Sequence, residues 1–507
     1  MGSVAIIGAG PAGIATARSL EARGLRAEVF DRADQVGGLW RQRESPNDVC
    51  TWSGMRCNLS RATMSFGDIS MPGDLAGHAT TEEVRDYLNT CVSTLSTTVF
   101  RLHSRVTRIS RCDGGRFVVR WQDTHSEEEH SAVYSQVVLC TGVFNTPKLP
   151  VLDASVPVIH SAHCQGDDAY LQTHFGGRRV LVVGSGFSGT ELACLVAERV
   201  PTAKLTVALG RPRYYLHRML DDTDGVKRPL DHVFYSVDMR DHPEDDTSDQ
   251  NDHNDPNDPN SKQHIYLRRQ AKSELATIAD WRLAPPRGGA RRVAITDHFV
   301  ELVALDRIAV RRNLCEIQRN FAVFGPQVPS GQDRKEYFDI VLACTGFTCD
   351  LSFLSEELQQ QLGYDAKSKQ PVLAQEGVFP CVGPCDLACV GVYNGPYFGV
   401  IKQQAEWVAD VFSSTLAVGS DTERAQVLTR EVAQRELADC SGLRQPQFVR
   451  EYGRMMASLG RLRGVWPPPV DCVEGQKLRQ EICQDKFWRP EYLFRSADIV
   501  RNSTDIS

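Results

Sequence analysis

The sequence predicts an α/β protein with two Rossmann-like dinucleotide-binding domains, the second inserted in the first. Three observations carry this expectation. A strand, glycine turn, helix and second strand open the chain at Val4. A second unit of the same design begins at Arg179. Each unit is followed by an apolar strand that ends in Cys-Thr-Gly, at Cys140-Thr141-Gly142 and Cys344-Thr345-Gly346, which reads as an internal repeat.

In the first unit Val4-Ala5-Ile6-Ile7 runs into Gly8-Ala9-Gly10-Pro11-Ala12-Gly13, then a helical stretch to Arg23, then Ala27-Glu28-Val29-Phe30 ending at Asp31. In a GxGxxG turn the first glycine permits the tight turn. The second lets backbone approach a pyrophosphate, and the third lets helix pack on strand. The helix N-terminus offers free N–H groups and the positive end of its dipole to phosphate. Asp31 stands where a carboxylate accepts hydrogen bonds from a ribose hydroxyl.

In the second unit the strand Arg179–Val183 leads to Gly184-Ser185-Gly186-Phe187-Ser188-Gly189, a helix Thr190–Arg199 and a strand Lys204–Leu209. That strand ends in Gly210-Arg211, not in an acid. The planar arginine fork suits a 2′-phosphate, so the pattern favours NADP over NAD.

The remaining elements fit around these units. Gly37-Gly38-Leu39-Trp40 reads as a close backbone approach to a ligand. Thr51–Pro72 is loop-like and carries Asn58. Thr80 and Glu83 form a capping box that opens a helix Glu82–Leu95. Phe100–Trp121 gives two or three strands, with a hairpin at Asp113-Gly114-Gly115, and Val133–Leu139 one apolar strand. The proline-punctuated segment Pro147–Pro157 marks a domain boundary. Residues 241–262 are dominated by Asp, Asn and Pro, and predict a disordered acidic insertion without EF-hand spacing. Strands resume near Val293 and over Ala309–Phe324, Tyr337–Ala343 and Leu387–Gly391, followed by an amphipathic helix Gln403–Thr415 and a charged helical tail. The expected domains are 1–150 and 336–415 for the first nucleotide, 151–335 for the second, and 416–507 as a C-terminal extension.

Composition bounds the function. With 507 residues, 41% hydrophobic and 24% charged, the chain is long enough for several domains and a large core. A formal net charge of −7 and the lack of a long basic run exclude a nucleic-acid footprint. The 16 cysteines show no metal-type CxxC pair, so reduced thiols, a cytoplasmic setting and no metal site are expected. No apolar run approaches the ~20 residues of a membrane span, and the opening residues carry no signal-peptide or myristoylation pattern.

With these motifs in place the chain resembles the flavin-containing monooxygenases over roughly residues 1 to 415. The shared motifs are the first GxGxxG, Gly38-Leu39-Trp40, the Asn58 loop, the Thr-Gly turn with Pro147 and Pro150, the second GxGxSG, and Cys344-Thr345-Gly346-Phe347. Two departures stand out. Phe187 replaces the usual Asn of the second turn, and the FxGxxxH fingerprint survives only as His160-Ser161, with Ala154 and Val156 at its Phe and Gly positions. The two histidines His160 and His163 read as linker residues.

The resemblance implies a glutathione-reductase-like arrangement in which the first turn binds FAD and the second NADPH. It places Gly8, Ala9, Gly10, Pro11, Ala12, Gly13, Asp31, Leu39 and Trp40 at FAD, a set completed by Val106, Thr141 and Gly142. Gly184, Gly186, Phe187, Ser188, Gly189, Thr190, Glu191 and Arg211 fall to NADPH. Asn58 matches the asparagine that contacts flavin and the nicotinamide region, and is the one residue expected to act catalytically. It would protect a flavin C4a-hydroperoxide formed from O₂, which oxygenates a nitrogen or sulfur of a small molecule. No side-chain nucleophile is needed, because the cofactors carry the redox chemistry. The residues leave other readings open: a Baeyer–Villiger enzyme, a soluble N-hydroxylase of an amino acid or polyamine, a flavin disulfide reductase, for which the CxxxC pair Cys381 and Cys385 reads as core residues before a late strand, or a non-catalytic NADP-binding protein. Substrate and oligomeric state are not encoded in any readable motif.

Overall fold

The computed structural model describes residues 3–150, 153–210, 213–221, 225–235, 270–271, 293–326, 332–364, 369–393, 397–429, 452–470, 472–485 and 489–504. The acidic insertion 241–262 and Arg211 lie outside the described residues.

Two five-stranded parallel sheets dominate. The first has the strand order Leu387–Cys389, Gln136–Leu139, Val4–Ile7, Ala27–Phe30, Val99–Arg101. The second has the order Val158–His160, Ile340–Ala343, Arg179–Val183, Lys204–Ala208, Ile308–Arg311. The orders correspond position by position. In each sheet the glycine-turn strand sits centrally, between its own following strand and the strand that ends in Cys-Thr-Gly. Leu387–Cys389 rejoins the first sheet after the second is complete, so the second Rossmann unit is inserted in the first. The two crossings run side by side. Thr146–Pro147 pairs with Phe347–Thr348, and Lys148 N–H donates to Gly346 O at 2.9 Å.

Several apolar runs divide between sheets. Val133–Leu139 splits at Ser135. Its first part completes Glu129–Tyr134 of a three-stranded antiparallel sheet, and Gln136–Leu139 joins the first parallel sheet. Ala309–Phe324 becomes Ile308–Arg311, Leu314–Arg319 and Phe321–Phe324. Ile340–Ala343 belongs to the second sheet, so the return to the first falls after it and not at residue 336. A run of β-branched residues specifies strand but not partner; long-range pairing decides that.

Helix ends follow local chemistry. Thr80 and Glu83 form the expected capping box on the helix Thr81–Ser93. The second Rossmann helix starts at Phe187 instead of Thr190, directly on the glycine turn. The late helix, expected as Gln403–Thr415, is Phe398–Phe412, and it is buried almost all round instead of amphipathic. It packs on the first Rossmann helix Pro11–Glu21 and on Tyr452–Leu462 of the C-terminal segment. That segment is no appendage. Tyr452, Met456, Leu459, Trp466, Ile482 and Leu493 share one core cluster with Val4, Ile6 and Ile14.

The buried polar residues of the late helix are matched by charges from elsewhere. Glu406 accepts from Lys402 at 2.8 Å, from Arg23 at 2.7 Å, from Arg463 at 3.2 Å and from Ser19 Oγ at 3.1 Å. Asp410 pairs with Arg23 and accepts from Arg463 Nε at 2.9 Å. Two arginine forks and a lysine thus share two carboxylates where three elements meet.

Candidate active site

The two glycine turns are duplicates in detail. Gly8 and Gly184 both take φ +110, which only glycine adopts without strain. A Cβ on Gly8 would stand 2.5 Å from Cys140 O; on Gly184 it would stand 2.5 Å from Cys344 O. The third glycines are tighter still. A Cβ on Gly13 would lie 1.9 Å from Gly8 O, and one on Gly189 1.9 Å from Gly184 O. The cysteine of each Cys-Thr-Gly end therefore closes the back of its turn.

Both turns leave their helix N-termini without a side-chain cap. Gly10 and Gly186 are the N-cap residues and neither helix has a side-chain hydrogen bond there. The helices Thr81–Ser93 and Asp168–Phe175 are capped by Thr80 and Asp167. Other helices, such as Phe398–Phe412, also lack a side-chain cap, so what marks the two turns is the missing cap together with the glycine geometry, which leaves first-turn N–H groups open to a phosphate. The cradles fit a dinucleotide pyrophosphate on this ground.

Around the first turn, Asp31 Oδ2 accepts from Ala9 N–H at 2.7 Å and Oδ1 from Ala33 N–H at 2.9 Å. It braces the turn and keeps lone pairs for a ribose hydroxyl. Gly38 lies against Gly10: a Cβ on Gly38 would be 3.0 Å from Gly10 Cα. Leu39 is half-buried, and its carbonyl accepts from Thr51 N–H at 2.9 Å. Trp40 is buried edge-on to Phe398, so its ring is part of the core behind the turn. Pro11 and Ala12 begin the helix. Thr141 and Gly142 sit half-buried at the strand end beside Gly8. Val106 lies at a bulge in the antiparallel sheet, two residues beyond Ser104, whose N–H donates to Asp31 O at 2.7 Å.

At the second turn Phe187 is exposed and Ser188 half-buried. Thr190 is fully buried, and its hydroxyl is spent on Gly186 O at 3.1 Å. Glu191 faces Arg218 at 2.5 Å. Arg213 was not expected: its guanidinium Nη2 is 3.7 Å from a Cβ placed on Gly186, so its charge overhangs the second glycine. No spacing rule singles out an arginine two residues beyond Arg211.

Asn58 lies between the two units. Its loop is held on the second unit's side by Ser53 N–H to Gln165 O at 2.8 Å and by Arg218 Nε to Cys57 O at 3.1 Å. The half-buried Asn58 side chain has no hydrogen-bond partner among the described residues. Close by, the buried Asp231 accepts from Ser60 Oγ and Thr63 Oγ1, both at 2.6 Å. Sequence reasoning missed Asp231 and Arg218, because nothing local links them to Asn58.

His160 is structural in geometry. His160 Nδ1 accepts from Ala162 N–H at 3.1 Å, so Nε2 carries the proton and donates to Gly346 O at 3.0 Å. Burial holds its pKa below the usual value, against the pull of that carbonyl. Burial also pushes the Cys57 and Cys140 thiols up to about 12. Among the described residues no His, Cys, Asp and Glu are grouped to hold a metal ion, and no helix is long and apolar enough to cross a membrane. An open groove of about 690 Å³, lined by Cys385, Val411 and Arg424 among others, contains none of the expected site residues.

Two Rossmann units, each with an uncapped glycine cradle and with one loop strung between them, define the class of two-dinucleotide folds. Comparison with known proteins narrows this. The flavin-binding monooxygenase-like family matches residues 2–468, and the chain belongs to it. It is 25% identical over 362 residues to flavin-containing monooxygenase 1 of Canis lupus familiaris, a match covering 70% of this chain. The chain spans 63% of that relative's length. Among solved structures it resembles S-allyl-L-cysteine S-oxygenase from Allium sativum, with a TM-score of 0.60, 17% identity and 99% of both chains covered. It also resembles NADP⁺-bound cyclohexanone monooxygenase from Rhodococcus sp. Phi1, with a TM-score of 0.63, 17% identity, and 92% of this chain and 97% of that one covered. At these identities the structures support the fold.

Proposed function

We propose that the chain is an NADPH-dependent flavin monooxygenase that transfers one oxygen atom to a soft nitrogen or sulfur nucleophile of a small molecule. The observation that carries this reading is the pair of duplicate uncapped cradles with the Asn58 loop held between them. Bound FAD, reduced by NADPH, would activate O₂ so that one atom reaches the substrate and the other leaves as water. The chain's own residues bind, orient and exclude water.

In this reading the first cradle, with Asp31, Leu39, Val106, Thr141 and Gly142, holds FAD. Trp40 supports it from the core. Gly184, Gly186, Phe187, Ser188, Gly189 and Thr190 hold the NADPH pyrophosphate, and Arg211 and Arg213 take the 2′-phosphate. The FAD unit is made of the segments before Pro147 and after Phe347, together with the C-terminal helices, and the NADPH unit of the segment between. A cytoplasmic setting accords with the free cysteines among the described residues. Cys381 Sγ donates to Val372 O at 3.7 Å and Cys385 Sγ accepts from Arg424 Nη1 at 2.9 Å, so this pair is engaged away from the glycine turns, which weighs against a disulfide reductase. His160, with both ring nitrogens on backbone groups, lends no support to the Baeyer–Villiger reading.

Aerobic oxidation of NADPH by the purified yellow protein, accelerated by amines or thioethers with product mass raised by one oxygen, tests the proposal; a flavin that NADPH does not reduce refutes it. Arg213→Ala is expected to raise KM for NADPH about tenfold or more and to leave NADH unchanged, the scale of a lost charge-assisted hydrogen bond. Equal effects on both nucleotides would assign Arg213 elsewhere. Asn58→Ala is expected to raise the hydrogen peroxide released per NADPH about tenfold, the scale of one or two lost hydrogen bonds. Unchanged coupling removes Asn58 from the site.

A further inference from the structure

The Asn58 loop is gripped on both sides by residues of one short segment that also contacts the helix behind the second glycine turn. On one side, Arg218 donates from Nε to Cys57 O at 3.1 Å and from Nη2 to Arg56 O at 3.4 Å. On the other, Asp231 accepts from Ser60 N–H at 3.1 Å, from Ser60 Oγ at 2.6 Å and from Thr63 Oγ1 at 2.6 Å. Ser60 Oγ gives its proton to Asp231 and so accepts from His232 Nε2 at 3.0 Å. The two anchors are joined, because Leu230 N–H donates to Arg218 O at 2.7 Å.

Arg218 is itself fixed from the nucleotide side. Its Nη2 meets Glu191 Oε2 at 2.5 Å and its Nη1 meets Asp297 Oδ2 at 2.6 Å, with its own N–H on Asp297 Oδ1 at 2.9 Å. Glu191 lies on the helix that starts at the second glycine turn. Arg218 is 7% exposed, while the carboxylates of Glu191 and Asp297 keep partial access to water. A planar fork with five donors spans two carboxylates and two carbonyls at once; a lysine ammonium lacks that geometry.

We propose that Arg218, with Asp231, is a positioning residue that couples the occupant of the second glycine turn to the placement of Asn58. The inference rests on the reading of that turn as the NADPH cradle. A ligand there bears on the first turn of the helix that carries Glu191, and Glu191 holds the arginine whose other edge holds the backbone just before Asn58. Asn58 is thereby set by nucleotide binding without touching the cradle.

Hydrogen–deuterium exchange of the full FAD-loaded chain tests this, with wild type and Arg218→Lys compared with and without saturating NADP⁺. Peptides covering 53–63 and 184–191 report the loop and the cradle. In wild type NADP⁺ is expected to slow both. In Arg218→Lys the cradle is still slowed, while the loop exchanges about tenfold faster and no longer responds to nucleotide, the scale of two lost hydrogen bonds. A purely structural role would raise exchange equally with and without NADP⁺ and leave the response intact; that result overturns the proposal. The wild-type pair needs no variant to fold. If NADP⁺ slows 184–191 but leaves 53–63 unchanged, the coupling alone fails. If it leaves 184–191 unchanged, the cradle assignment fails and the inference with it.

Discussion

Gly13→Ala is expected to yield a folded chain that purifies colourless, and Gly189→Ala one that keeps flavin but no longer binds NADPH. The added methyl carbon would stand 1.9 Å from Gly8 O in one case and 1.9 Å from Gly184 O in the other. No rotamer relieves such a contact, because Cβ has none; the turn or the helix must move. That movement takes the first-turn N–H groups away from the phosphate. Two lost charge-assisted hydrogen bonds cost about 3–6 kcal/mol, a hundredfold or more in affinity. Flavin absorbance of the purified variants and NADPH titration measure the two losses separately. A comparison at Gly114 isolates the cause: it also has a positive φ, +81, but a Cβ there meets nothing within 4 Å. Gly114→Ala should cost about 1 kcal/mol of stability and spare both nucleotides. A yellow, NADPH-reducible Gly13→Ala protein would refute the cradle assignment.

Glu406→Gln is expected to be among the most destabilising single changes in the chain. Burial alone would push this carboxyl up; Lys402, Arg463 and Arg23 overcome burial and hold it well below the usual range. Removing the charge leaves three buried cations sharing Asp410 and Asp68. Breaking one partner of a buried pair costs about 3–5 kcal/mol, in a chain of this size a fall in melting temperature of roughly 3–8 °C. The pH dependence has a definite sign. The folded value lies below the unfolded one, so the contribution is present above the ordinary carboxyl value of about 4.3. The gap between wild type and Glu406→Gln should therefore narrow as pH falls below that value toward the depressed one. Glu481→Gln serves as the contrast. Glu481 pairs with Arg495 at 2.7 Å but is half exposed, and its loss should cost under about 1 kcal/mol. Equal melting temperatures for the two variants would show that the buried network contributes no more than a surface pair.

The parts of this protein that were legible in its sequence are those with local causes. Gly8, Gly10 and Gly13, and Gly184, Gly186 and Gly189, sit at fixed spacing because one backbone torsion and two steric contacts demand it. The Thr80–Glu83 box announces its helix because the cap bonds span three residues. The two Cys-Thr-Gly ends were visible as a repeat, and each closes the back of its own turn. Asp31 was placed correctly at the end of the second strand, although its bond to Ala9 N–H was not readable.

The parts that were not legible depend on distant partners. The run Tyr337–Ala343 looks the same whichever sheet receives it; pairing with Arg179–Val183 assigns Ile340–Ala343 to the second sheet, while Tyr337 ends a strand paired with Phe321–Phe324. The late helix reads as amphipathic because Lys402, Gln403, Gln404, Glu406 and Asp410 are polar; all five are buried. What reverses the reading is Arg463, more than fifty residues on, which bonds Asp410, Gln403 and Glu406. Nothing in the sequence marks Arg218; the fold alone brings Glu191, Asp297 and the carbonyls of residues 56 and 57 around it. By itself, then, the sequence determined two glycine turns and the strand–helix units around them, since a glycine turn is dictated by torsion angles and a missing Cβ. Only the tertiary structure decided what faces those cradles and what holds them, since charges and strands separated by hundreds of residues acquire their meaning only when chain closure sets them a few ångströms apart.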